Sequence, residues 1–170
     1  PENVPLQPKH YLPISIKGVQ ENDYAMILGY PGRTNRWMPA NGIEQNVKYA
    51  YPAWVEGAKT GMDNMKKFMT KDATVNLQYA SKYASTANYW KNRQGMIDAL
   101  TKAKTAQTKT KEEAKFNAWA NKAENKAKYG DVITTINNYY AQTNLKARHD
   151  NYLTQLLRTA TYGTLPASLG

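Results

Sequence analysis

The chain has 170 residues, a net charge of +10 from 23 Lys and Arg against 13 Asp and Glu, and a mean hydropathy of −0.75. That length is enough for one domain with a buried core, and no apolar run approaches the ~20 residues of a membrane-spanning helix. The absence of cysteine excludes disulfide scaffolds, thiolate metal sites and cysteine nucleophiles from this sequence.

Prolines divide the chain into two parts. Seven of the eight prolines lie at or before Pro52, and the 113 residues between Pro52 and Pro166 contain none. Because proline interrupts helices, this distribution predicts loops and strands in the first third and helices in the remainder. The predicted fold class is mainly α, a bundle of about five helices preceded by a short β-hairpin.

Two segments near the N-terminus, residues 11–17 and 24–30, have the composition of β-strands. The turn-forming residues 18–23 join them, and Pro31 and Gly32 have the order expected at the centre of a type II turn. Two strands alone are only marginally stable, so the hairpin is expected to need strands from outside this sequence.

The first two helices are predicted from an apolar stripe and a capping residue. Apolar residues recur after residue 53 at spacings of four, four, three and four, which is the periodicity of a helix with one buried face. Asp72 can cap a second helix over residues 73–105, whose length would be about 50 Å. The stripe of the first helix is formed by Trp54, Ala58, Met62, Met65 and Met69.

Three further helices complete the predicted bundle. The residues from Thr110 to Glu113 have the pattern of a capping box and open a third helix that ends at Gly130. Asp131 caps a fourth helix, and residues 145–161 form a fifth. The buried side of the fifth helix is expected to carry His149, Tyr152, Leu153, Leu156 and Ala160.

The sequence contains no recognisable catalytic or metal-binding motif. His10 and His149 lack the spacing of a zinc-binding helix, so no metal or other cofactor is expected. None of the four serines lies in a G-x-S-x-G turn of the kind that presents a nucleophile. We therefore assign no catalytic residue within this chain.

Eight lysines lie between residues 102 and 128. Such a segment could neutralise phosphates, so a basic helical module that binds nucleic acid or another polyanion is the alternative function. Arginine is scarce there, acidic residues are interspersed and no nucleic-acid-binding motif is present. A solvated lysine face is therefore the favoured interpretation.

Four small neutral side chains form a line on the second predicted helix, and we call them the polar row: Ser81, Ser85, Asn88 and Asn92. Their spacings of four, three and four place them on one face of a helix. Such a face suits a surface covered by another domain or by a small ligand, and asparagine amide oxygens can accept hydrogen bonds from an ammonium group. A merely solvated polar line fits the periodicity equally well.

Two stretches resemble a known family. The segments LPISIKG at residues 12–18 and DYAMILGYPGRTNR at residues 23–36 resemble the region after the catalytic Asp in the bacterial dipeptidyl-peptidase seven/eleven family of serine exopeptidases. The block QYASKYASTANYWKN at residues 78–92 is similar to the signature of that family's helical domain. The two motifs occur in the family's order and spacing, and they anchor roughly the first 100 residues.

The resemblance implies a chymotrypsin-like double β-barrel, a large helical domain that caps the active-site cleft, and a Ser-His-Asp triad that releases dipeptides from free peptide N-termini. This sequence would be the internal piece between the Asp and the Ser of the triad and inactive alone, in keeping with its start at Pro1 without an initiator methionine. Residues 1–52 would supply the β-hairpin and loops from the edge of the catalytic barrel. Residues 53–170 would form the α-helical cap domain.

The resemblance also implies a binding site. Members of the family hold the α-ammonium group of the substrate partly through an asparagine of the helical domain, and the matching position is Asn88, with Asn92 as the second candidate. Trp90 is expected in the core and Tyr89 in the wall of the cleft. The implied partners are a peptide substrate, the protein's own catalytic barrel and a second copy in a homodimer, without nucleic acid. The implied location is the periplasm, the cell surface or the medium.

Overall fold

The structure is a computed structural model that describes residues 4–26, 28–30, 32 and 35–159. The chain divides into two compact units, Pro1–Thr34 and Asn35–Gly170. The second unit is helical, which confirms the mainly α fold class. Its described elements are α1 (Ala40–Gln45), a π-helical segment (Asn46–Ala50), α2 (Tyr51–Met69), α3 (Ala73–Lys102), α4 (Thr105–Ala120), α5 (Ala123–Tyr129) and α6 (Val132–Thr159). None of these helices combines the length and the apolar character that a bilayer crossing requires.

The first unit contains no β-strand among residues 4–26, 28–30 and 32. The predicted hairpin over residues 11–17 and 24–30 is therefore not confirmed, and Ile27 lies outside the described residues. Its apolar side chains are exposed to solvent, for example Ile14 at 91% and Ile16 at 98%. Since a strand satisfies its backbone groups only by pairing, two strands without neighbours have little to hold them together.

A chain reversal nevertheless occurs within residues 18–23, where the sequence predicted it. The Asp23 N–H donates to the Gln20 carbonyl oxygen at 3.1 Å, and the Gln20 N–H donates to Asp23 Oδ2 at 2.8 Å. Asn22 has a φ of 74°, in the left-handed region that asparagine tolerates in turns. The second predicted turn, at Pro31 and Gly32, includes residues outside the described ones.

Helical structure begins at Ala40, twelve residues before Pro52, although the proline distribution predicted loops there. The π-helical segment explains this difference. Proline cannot donate to the preceding turn and its ring collides with it, and a wider turn relieves both problems. Directly before Pro52, the Tyr51 N–H bonds to the Asn46 carbonyl oxygen, five residues back, so α1 and α2 run on without an interruption.

The predicted second helix is confirmed as α3, together with its cap. Asp72 is extended, and its Oδ1 accepts hydrogen bonds from the N–H groups of Thr74 at 2.7 Å and Val75 at 3.2 Å. These are two of the donors that a helix start leaves without partners.

The capping box predicted at Thr110 is wrong, because α4 begins five residues earlier, at Thr105. Thr110 lies inside the helix and donates its hydroxyl to the Ala106 carbonyl oxygen at 3.0 Å. Glu113 caps a different helix: its Oε1 accepts from the Ala40 N–H at 2.6 Å, at the first residue of α1. A carboxylate in that position also stabilises the positive end of the helix dipole.

The predicted fourth and fifth helices form one continuous helix, α6. The polar residues at its middle, which separated the two predicted helices, face α1. The Gln45 side-chain amide donates to Thr143 Oγ1 at 3.0 Å, to Asn144 Oδ1 at 3.2 Å and to the Tyr140 carbonyl oxygen at 3.4 Å. Because these partners lie about a hundred residues away, the sequence pattern alone does not contain this contact.

The core lies on α2, between α3 and α6. Helix α2 and the preceding α1 run parallel to α6, since Asn41 bonds to Asn137 and Glu56 to Tyr152 at the same sequence separation of 96 residues. The close α2–α6 approach occurs at Gly57, where a Cβ atom would lie only 2.7 Å from Gln155 Cβ. The apolar stripe predicted on α2 is confirmed at its first three positions, since Trp54, Ala58 and Met62 are buried.

Candidate functional site

The polar row lies on α3 as predicted, on a helix that is continuous from its first member to its last. All four side chains are exposed to solvent. Within the described part of the chain, no side-chain hydrogen bond engages Asn88 or Asn92, so both amides are open to an external partner. The structure thus brings the two predicted site residues together on one exposed face, one helical turn apart.

Trp54 of α2 contacts α3 directly beside the polar row. Its side chain is 4% exposed. The Tyr89 ring meets the Trp54 ring edge-on, with 6.5 Å between the centroids and an interplanar angle of 65°. The Arg93 guanidinium carbon lies 4.1 Å from the centroid of the same ring, a cation–π arrangement. Tyr89 thus contacts the core of the bundle with its ring edge and is still 52% exposed, so its expected place in the wall of the cleft stays a prediction.

The electrostatics of this contact are unusual because the groups that act on Arg93 are two tyrosine hydroxyls and a second guanidinium. Burial lowers the pKa of Arg93, and the positive charge of Arg158 lowers it further. The hydroxyls of Tyr51 and Tyr89 raise it and so offset part of this effect. Burial raises the pKa of Tyr51, and the Arg93 charge opposes that change. Arg93 remains a cation, and its stacking on Trp54 is the contact that holds it.

A groove of about 900 Å³ lies between α2, α3 and α6. The α6 side chains that we predicted to be buried form part of its wall: Leu153 is 42% exposed and Leu156 62%, and the His149 side chain is 73% exposed. The prediction is therefore wrong for His149, Leu153 and Leu156, because this side of α6 faces the open groove. Tyr152 is half-buried, and Ala160 lies outside the described residues. Polar groups at the edge include Glu56, whose carboxylate accepts from the Tyr152 hydroxyl.

The groove does not lie on the face of the polar row. Lys82 lines the groove, and Asn88 follows it by six residues, which is about 120° around the helix axis. Neither Asn88 nor Asn92 lines this groove. The face of α3 that carries the polar row and the groove are therefore two separate surfaces.

The lysine-rich segment runs from the last residue of α3 through α4 and α5, and all but one of its eight lysines are exposed. The half-buried member, Lys109, pairs with Glu112 at 2.7 Å. Among the residues that the structure describes, no group of three His, Cys, Asp or Glu side chains could hold a metal ion. The solvated lysine face and the nucleic-acid alternative both stay predictions.

Sequence reasoning missed the contact between Trp54 and α3. The signal was present in part, since Tyr89 and Arg93 have the spacing of one helical turn and each follows an asparagine of the polar row. This spacing could not identify the Trp54 ring that Tyr89 and Arg93 both contact, because the contact depends on the antiparallel pairing of α2 and α3.

Comparison with known proteins identifies the chain as part of a peptidase. Residues 1–167 match the peptidase S46 family, and the chain belongs to this family. It is 59% identical to dipeptidyl-peptidase 7 of Capnocytophaga gingivalis over 160 residues, which are 94% of this chain and 22% of that protein. It is 35% identical to an Asp/Glu-specific dipeptidyl-peptidase of Flavobacterium psychrophilum over 156 residues, 92% of this chain and 22% of the relative.

A third relative, dipeptidyl-peptidase 7 of Phocaeicola vulgatus, is 42% identical over 134 residues, 79% of this chain and 18% of the relative. The chain thus spans about a fifth of the length of the curated relatives that it matches. The resemblance identified from residues 12–36 and 78–92 is confirmed.

Proposed function

We propose that this chain is part of a longer serine-type dipeptidyl-peptidase, in which its helices cap the active-site cleft and help bind the free α-amino group of the peptide substrate. The observation that carries the proposal is the 59% identity to a dipeptidyl-peptidase 7 over 94% of the chain. The catalytic triad and the primary specificity pocket would belong to the part of the protein outside this chain, as would a catalytic β-barrel and the contacts of a homodimer. The family resemblance favours a periplasmic, cell-surface or secreted location.

The polar row has the chemistry that amine recognition needs. The α-ammonium group of a peptide presents three donors and no acceptor, and the Asn88 and Asn92 side-chain oxygens are acceptors without a protein partner in the described structure. The row carries no lysine or arginine that would repel the ammonium group. A hydrogen bond to an ammonium group is charge-assisted and stronger than a bond between neutral groups.

Amine binding also fits what the relatives have in common. Proteins named dipeptidyl-peptidase 7 and proteins named Asp/Glu-specific dipeptidyl-peptidase both match this chain over most of its length. An enzyme that releases dipeptides must fix the substrate N-terminus, whatever the side chain at the cleaved bond, so that the second peptide bond meets the nucleophile. A role shared by both kinds of relative is therefore recognition of the terminus.

The proposal is tested by Asn88→Ala in the full-length protein. The loss of one charge-assisted hydrogen bond should raise KM and lower kcat/KM for free-amine dipeptidyl substrates by roughly 10- to 100-fold. N-terminally acetylated substrates should be insensitive to the substitution, because they present no ammonium group. The matched control is Asn76→Ala, which removes another exposed asparagine of α3 on a different face. Equal losses on both types of substrate would show that Asn88 is structural and would refute the proposed role.

A further inference from the structure

Each asparagine of the polar row is followed directly by a residue that contacts Trp54. Tyr89 comes after Asn88, and Arg93 comes after Asn92. Tyr89 and Arg93 are one helical turn apart, so they present neighbouring positions of α3 to the same indole ring. The indole belongs to α2, is 4% exposed, and lies close along the helix to the buried Ala53 and Ala58.

We propose that Trp54 and Arg93 form a positioning pair that fixes the rotation of α3 about its axis and thereby aims Asn88 and Asn92 at the substrate amine. This inference rests on the proposed function and adds to it the residues that control the geometry of amine binding. Neither Trp54 nor Arg93 touches the substrate in this arrangement; both act through the asparagines.

The geometry of a helix makes such control necessary. Side chains end about 5–6 Å from the helix axis, so a rotation of about 20° moves a terminal amide by about 2 Å. A hydrogen bond of about 2.7–3.2 Å does not survive that displacement. Positioning errors of about 1 Å can reduce catalysis by about a hundredfold. A contact that prevents rotation beside each asparagine therefore contributes to amine binding without touching the amine.

Arg93 has the properties of a packing residue rather than of an ion-pairing residue. Its Nε lies buried without a hydrogen-bond partner, and among the described residues it forms no salt bridge. A guanidinium is flat and stacks on an aromatic face, which a lysine ammonium cannot imitate. The long aliphatic part of the side chain also covers apolar surface beside the ring. The cation–π contact with Trp54 is thus the interaction that a substitution of Arg93 removes.

The test measures amine recognition in the full-length protein with Arg93→Met, Arg93→Lys and Trp54→Leu. Arg93→Met should raise KM for a free-amine dipeptidyl substrate about three- to tenfold, with a smaller change in kcat, and should weaken inhibition by the free dipeptide product to the same extent. Arg93→Lys should also raise KM, since lysine keeps the positive charge but lacks the planar guanidinium that packs on the Trp54 ring. Circular dichroism and Tm check that each variant is folded, and Arg93→Met carries the test if Trp54→Leu unfolds.

The matched control is Arg148→Met. Arg148 also places its guanidinium over an aromatic ring, that of Tyr152 at 5.8 Å, but on α6 and away from the polar row. This variant should leave the KM for free-amine substrates unchanged. A similar rise in KM for Arg148→Met would show a general loss of rigidity and would overturn the positioning role.

A double-mutant cycle separates this inference from the proposed function. If Arg93 acts through the two asparagines, Asn88→Ala combined with Arg93→Met should lose less than the product of the two single effects, since only the part that acts through Asn92 remains. Multiplicative losses, or an unchanged KM in folded Arg93→Met, would overturn the positioning role while amine binding by Asn88 stands. If Asn88→Ala itself leaves amine recognition intact, the proposed function is wrong and the positioning role falls with it.

Discussion

The two units of the chain differ in whether they bury apolar side chains: the helical unit has a buried core, and the first unit has none among its described residues. In the helical unit, Ile43 is 7% exposed and Ala58 is completely buried, because helices from distant parts of the same chain cover them. In the first unit, Ile14 and Ile16 alternate with polar residues as in a strand, yet they are almost fully exposed. A helix satisfies its backbone groups internally and then needs only a face to bury, whereas a strand needs a neighbour for both purposes. The difference shows which part of the chain contains its own folding partners.

Hydrogen exchange should show the difference between the two units most directly. We expect backbone amides of residues 11–17 to exchange at nearly unprotected rates in this chain, since no strand pairing occurs there. In the full-length protein, pairing with a catalytic barrel should slow them by roughly a thousandfold or more. Mass-spectrometric exchange of the peptide that covers these residues measures both rates. Fast exchange in the full-length protein would contradict the prediction that these residues form an edge of the catalytic barrel.

A matched pair of isoleucines tests the same difference by stability. Ile43→Ala should lower the free energy of unfolding of the chain by about 2–5 kcal/mol, because it leaves a cavity beside buried neighbours. Ile16→Ala, at a side chain that is 98% exposed, should change it by less than about 0.5 kcal/mol. Urea denaturation followed by circular dichroism provides both values. Comparable losses at the two positions would mean that the first unit buries Ile16 in solution.

Two glycines of the helical unit differ in their surroundings, so substitution by alanine should change the free energy of unfolding in opposite directions. Gly57→Ala places a Cβ about 2.7 Å from Gln155 Cβ and should cost about 1–3 kcal/mol by forcing α2 and α6 apart. Gly95→Ala on α3 meets no atom within 4 Å and should stabilise by about 0.5–1 kcal/mol, because alanine favours the helix. The shift of Tm in opposite directions is the expected readout. A loss at Gly95 would contradict its open surroundings.

A smaller loss than at Ile43 or Gly57 is expected at the start of α3, which carries the polar row. Asp72→Ala removes the acceptor for two backbone N–H groups and should cost about 0.5–2 kcal/mol. Asp72→Asn should retain most of this stability, since an asparagine side chain also caps helices. Denaturant titration of the three proteins decides between capping and a pure charge effect. If asparagine were as harmful as alanine, the cap would not explain the loss.

The parts of the fold that the sequence predicted correctly depend on local physics. The spacing of Trp54, Ala58 and Met62 and the cap at Asp72 are properties of neighbouring residues, and both are found in the structure. The errors at α4 and α6 have a different origin. Glu113 bonds to Ala40, and Gln45 bonds into the middle of α6, so residues that resembled a helix start or a helix break are engaged by distant elements.

The features of the candidate site also differ in how far the sequence predicts them. The polar row follows from periodicity alone, and the structure places Asn88 and Asn92 on one exposed face. The groove and the stack of Arg93 on Trp54 depend on how three helices pair, which periodicity does not specify. The similarity to proteins named dipeptidyl-peptidase 7 concerns the chain as a whole, and peptide binding by that face stays a proposal.

The π-helical segment before Pro52 carries an engineering consequence. It accommodates one residue more than a regular turn would, and each residue turns a helix by about 100°. In a regular α-helix, a one-residue deletion would rotate everything that follows by about 100°. Within Asn46–Ala50 the deleted residue is the extra one, so α2 should keep its orientation relative to α1 and the Trp54 indole should still meet α3. The cost should fall on the turn at Pro52, whose ring would again collide with the preceding turn. This segment is therefore the place where the helix can be shortened by one residue without being turned.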